Sequence, residues 1–160
     1  MPDEKRELRI GVRCALTDGI GDAGELFADA RAIESAGADS LWADAADGDP
    51  YVLLAALAAS TWRVGLVASG AATGPADPGR VTCERLARGR LRLAEELAHL
   101  GERWVHVPFP SSRDEWRAAR AAALESGAAG IVVANDPRLL DLLRNPDQTF
   151  DRADMNLATG

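Results

Sequence analysis

The feature that most constrains this chain is an alternation. Short apolar runs give way to runs of helical period again and again, with a turn residue at nearly every switch. Residues 8–16 (LRIGVRCAL) read as a strand, and residues 22–36 place Leu26, Ala30 and Ile33 at helical spacing before Gly37 ends the run. Residues 39–44 (DSLWAD) give a second strand. Asp49 then caps a helix that opens on Pro50 and carries Leu53, Leu57 and Ala58 along one stripe. Residues 63–69 form a third strand, 70–79 a loop, and 81–100 one long amphipathic helix stopped by Gly101. A fourth strand over 103–109, a helix capped by Ser111 or Ser112 and running to Leu124, a fifth strand over 131–134 and a short helix over 137–143 complete the pattern.

Strands that alternate with helices pair in parallel through right-handed crossovers, so the predicted class is α/β with a five-stranded parallel sheet. The 160 residues suit a single domain, placed at 1–144, followed by a polar tail over 145–160. No apolar run approaches the ~18–20 residues of a bilayer span, and the N-terminus has no apolar signal core; a cytoplasmic protein without a membrane partner is expected. A net charge of -7 repels phosphate backbones and excludes nucleic acid as a default partner. Cys14 and Cys83 stand far apart with no CxxC pair and only two histidines in the chain, so neither metal nor disulfide is expected.

Gly19, Gly21 and Gly24 spell GxGxxG between the first strand and helix, with Asp44 at the end of the second strand. Asp18 and Asp22 would set two carboxylates beside the pyrophosphate, the wrong charge for a helix N-terminus that binds anions, so a plain loop is the better reading. Arg85, Arg88 and Arg92 share a face of the long helix but sit among Glu84, Glu95 and Glu96. His99 lies near Glu95 and Glu96 on a face expected to be solvated, whereas His106 alternates with Trp104 on one face of the fourth strand and can point into a pocket. Ser111, Ser112 and Arg113 precede a helix; their hydroxyls, guanidinium and backbone N–H groups form the best anion site in the chain, with an N-cap and a surface arginine as the plain alternative.

Residues 30–66 (ARAIESAGADSLWADAADGDPYVLLAALAASTWRVGL) resemble the bacterial luciferase-like family of flavin- or deazaflavin-dependent oxidoreductases. The resemblance is carried by Glu34, Gly37, Asp39, Ser40, Leu41, Trp42 and Asp44, then by Asp49, Pro50, Leu54, Ala55, Ala56, Leu57, Thr61, Arg63, Val64 and Leu66. It implies a TIM barrel shortened here by the loss of its central units, which would leave the strands in the order fourth, fifth, first, second, third. It further implies an oxidoreductase of monooxygenase type holding FMN or a deazaflavin at the C-terminal ends of the strands, through Asp44, Ser69, Gly70, Ser111, Ser112 and Arg113. Asp44 and His106 are the candidate catalytic groups. The histidine that follows the aspartate in the family is Ala45 here, so a catalytically inactive relative, binding or structural and without cofactor, is the alternative. Open sheet edges imply a homodimer.

Overall fold

The computed structural model describes residues 7–15, 23–71 and 74–145. Six strands form one parallel, curled sheet: β1 (Arg9–Arg13), β2 (Ser40–Asp44), β3 (Gly65–Ser69), β4 (Leu91–Leu93), β5 (Trp104–His106) and β6 (Gly130–Ala134). Between them run α1 (Ala23–Ser35), α2 (Pro50–Ser60), α3 (Pro78–Ala87), α4 (Ala94–His99) and α5 (Arg113–Glu125), and α6 (Leu139–Arg144) follows β6. The order across the sheet is β4-β3-β2-β1-β6-β5.

This corrects the expectation of five strands. The five expected strands keep their relative positions, and β4 adds a sixth at the edge beside β3. The long helix expected over 81–100 is instead two helices with β4 between them. Arg88 takes a left-handed conformation (φ 52°) and Gly89 follows with φ 83°, so the helical path ends there. Arg88 and Arg92 therefore share no helix face with Arg85. The first strand is shorter than expected, as is the strand at 104–106. Gly19, Gly21 and the tail beyond residue 145 lie outside the described residues.

Period-two alternation assigns the two faces of the sheet. Ile10 and Val12, Leu41 and Ala43, Leu66 and Ala68, and Ile131 and Val133 point outward into the main core, which α1, α2, α3, α5 and α6 cover with residues such as Ile33, Leu54, Leu57, Cys83, Trp116 and Leu139. Trp42, Val67 and Val132 point inward and form a second cluster with Leu97 of α4, flanked by Trp104. Neighbouring strands lie about 4.8 Å apart, so β2 and β5, three steps from each other, would be roughly 14 Å apart in a flat sheet. The Trp42 and Trp104 rings nevertheless sit 5.2 Å apart, because the sheet curls and brings them together across its hollow side.

Two glycines make room for these indoles. A Cβ on Gly11 would lie 2.5 Å from Trp42 Nε1, and one on Gly130 would overlap the Trp104 ring. Consecutive edge strands β4 and β5 are joined by residues 94–103, so α4 passes over the hollow side from one edge to the other. Among the described residues no helix is long and apolar enough to cross a membrane.

Candidate functional site

Parallel α/β sheets gather ligand groups at the C-terminal ends of their strands, where loops diverge. Here that rim brings together Asp44 from the end of β2 and Ser69 from the end of β3, which are register partners. The Ser69 hydroxyl donates to Asp44 Oδ2 at 2.6 Å, and the Ala46 N–H donates to Oδ1 at 2.8 Å as Asp44 caps the 3-10 turn over Ala45–Asp47. Gly70 follows with φ 66°, a left-handed conformation that a side chain would strain. The Ser69 hydroxyl, the Ala46 N–H and the nearby charge of Arg13 outweigh burial and hold Asp44 below the ordinary carboxylate range. It is an ionised acceptor with both oxygens engaged, not a proton donor at neutral pH.

Arg13, at the end of β1, binds one oxygen of Asp47 through Nη2 at 2.6 Å and Nε at 3.0 Å. The signal that could have found it is the alternation of Arg9, Gly11 and Arg13 on the inward face of one strand. His106 is exposed and stands edge-on to Trp42, with ring centroids 5.7 Å apart; it makes no hydrogen bond among the described residues. Partial burial and the Arg13 charge depress its pKa below 6.5 against the opposing pull of Asp44, so the imidazole is neutral at pH 7.

Ser111, Ser112 and Arg113 occupy a different part of the rim, in an open cleft of about 580 Å³ between the start of α5 and α6. Ser112 is the N-cap of α5, accepting from the Glu115 N–H at 3.2 Å, and the Ser111 N–H donates to Glu115 Oε2 at 2.7 Å. Arg113 donates to Asp141 Oδ2 and to the Asn145 carbonyl, both at 2.5 Å. Across the cleft Arg138 lies 4.7 Å above the Phe109 ring and pairs with Asp136 at 2.9 Å, while Arg117 pairs with Asp114 at 2.7 Å. The cleft thus presents cations already matched by carboxylates. Sequence reasoning missed Asp141 and Arg138, since only the packing of α6 against α5 brings them to Arg113.

His99 is exposed, with Nδ1 2.6 Å from the Glu95 carbonyl oxygen. Cys14 and Cys83 are buried free thiols, pushed up to about 12 and about 11 by desolvation. No group of side chains able to hold a metal ion occurs among the described residues. No protein-family model and no curated protein matches this chain.

Proposed function

We propose that this chain is an abridged, luciferase-like half barrel that serves as a binding protein without a redox cofactor. One observation carries the reading: at the C-terminal rim of the strands, where a barrel of that family would hold its cofactor, the polar groups are already matched within the chain. Asp44 is committed to Ser69 and Ala46, the Ser111 N–H to Glu115, and Arg113 to Asp141. An incoming cofactor phosphate would have to displace Glu115 and Asp141 before gaining these donors, so the residues present do not fit FMN or a deazaflavin. What remains open is the cleft between α5 and α6, lined by guanidinium–carboxylate pairs and by Phe109, which suits a polar small molecule.

A second reading, a reduced flavin- or deazaflavin-dependent oxidoreductase, is favoured by the left-handed Gly70 beside Asp44 and Ser69 on the open rim. Titration with FMN, reduced FMN and a deazaflavin, followed by cofactor fluorescence, separates the two. The expected result is no saturable binding. Saturable binding, with Arg113→Ala losing more affinity for FMN than for riboflavin, would establish the second reading and overturn the first. A cytoplasmic location belongs to the proposal and is supported by two buried thiols left unpaired, as in a reducing compartment. A homodimer belongs to it as well, supported by Trp62 and Leu100, exposed at 72% and 74%.

A further inference from the structure

The rim cleft between α5 and α6, of about 580 Å³, falls within the roughly 300–1,000 Å³ of small-molecule sites. Its charges cancel. Arg113, Arg117 and Arg138 line it, and each is paired: with Asp141 at 2.5 Å, with Asp114 at 2.7 Å and with Asp136 at 2.9 Å. Three guanidinium groups against three carboxylates leave no net field to draw in an ion of either sign. The pairs nevertheless leave hydrogen-bonding capacity unused. Arg117 takes Asp114 Oδ1 through Nη2, and Arg138 takes Asp136 through Nε and Nη2. Asp114 Oδ2, Arg138 Nη1 and the other N–H groups of Arg117 have no partner among the described residues. The Ser112 hydroxyl accepts from the Glu115 N–H, which leaves its own proton to donate. These groups are open to a ligand, since the Arg117, Asp114 and Arg138 side chains are 41%, 89% and 63% exposed.

We propose that this cleft binds a neutral sugar ring, its hydroxyls shared between the Asp114 carboxylate and the guanidinium groups of Arg117 and Arg138. A hydroxyl both donates and accepts, so one sugar meets the unused lone pairs of Asp114 and the unused N–H groups of the two arginines without breaking any of the three ion pairs. A carboxylate or an ammonium group uses only one half of that set and is repelled by the other half. Phe109, Pro110 and Leu142 provide an apolar wall for the C–H face of the ring. Arg138, 4.7 Å above the Phe109 ring, has its guanidinium held at the edge of that wall. The assignment rests on the cofactor-free reading of the rim and adds to it the class of the ligand.

Backbone amide NMR tests this, with glucose, galactose and mannose as probes, each beside its uronate and its 2-amino sugar in mildly acidic buffer where the amine is charged. At least one neutral hexose should shift the Ser111, Ser112 and Asp114 amides saturably, and its uronate and amino sugar should bind several-fold more weakly. Arg117→Gln should weaken the hexose on the order of tenfold. Asp114→Asn alters an exposed pair whose loss leaves the fold intact, keeps a carbonyl acceptor and leaves Arg117 unmatched. It should weaken the hexose and bring the uronate level with it or above. The proposal is overturned if no hexose shifts these amides saturably, if a uronate or amino sugar binds the parent protein as tightly as its hexose, or if Asp114→Asn leaves the hexose-to-uronate ratio unchanged. The FMN titration separates this assignment from the reading beneath it. Saturable FMN binding overturns both, whereas a protein that takes neither FMN nor a hexose loses the sugar assignment alone.

Discussion

Glu34 ties the end of α1 to the start of β3. Its Oε1 accepts the N–H groups of Trp62, Arg63 and Val64 at 2.9, 2.5 and 2.8 Å; burial alone would raise its pKa, but these three donors outweigh it and lower it. Asp49 does comparable work at α2, accepting from Tyr51 and Val52, and Thr61 closes the same helix through a hydroxyl bond to the Leu57 carbonyl at 2.7 Å. Much of the motif that resembles the luciferase-like family is accounted for by such backbone-holding roles, so it reports a scaffold more than a chemistry. Asp44 is the rim residue whose titration should show. Its folded pKa is lowered, so its contribution is fully present above the ordinary carboxylate value and is lost as pH falls through the lowered one. Ser69→Ala should cost about 1 kcal/mol at pH 7 and progressively less below about pH 4, measured by urea denaturation at both pH values.

Among the elements, α4 departs furthest from the alternating pattern, because it packs on the hollow side of the sheet while the other five helices cover the outer side. Its single buried anchor is Leu97, 7% exposed against Trp42, Val67 and Val132. Leu97→Ala should cost about 2–3 kcal/mol and shift tryptophan emission to the red as Trp42 and Trp104 meet water, checked by denaturation and by fluorescence. The break that creates β4 was readable in outline: Gly89 interrupts the helical run, and Arg90, Leu91, Arg92 and Leu93 alternate with period two. What no local pattern shows is the clamp that holds this edge. Arg90 donates to the carbonyls of Ala58, Thr61, Val64 and Ala87 and to the Thr61 hydroxyl, at 3.0–3.1 Å, which joins the start of β4 to the ends of α2 and α3.

At the scale of the whole molecule, the sheet ends in two edge strands, β4 and β5, of three residues each, and short edges resist strand-to-strand association. Association is therefore expected through exposed apolar side chains such as Trp62 and Leu86 and not through the edges. Sedimentation should report a dimer, and Trp62→Asp should shift it toward monomer while leaving thermal unfolding of the subunit within a few degrees. A parent protein that sediments as a monomer at all concentrations would remove the dimer from the proposal.

Class, strand phase and helix caps were legible in the residues alone, because each depends on neighbours a few positions away: Pro50 after Asp49, the capping Ser112, the alternation of Trp104 with His106. The position of the last expected strand beside the first came from the family resemblance, since in a closed barrel the last strand lies beside the first, and the register of Ile10 with Ile131 agrees with it. The passage of α4 over the hollow side and the pairing of Arg113 with Asp141 were decided only by tertiary structure. These depend on how strongly the sheet curls and how its helices pack, and both are set by contacts between residues far apart in the chain.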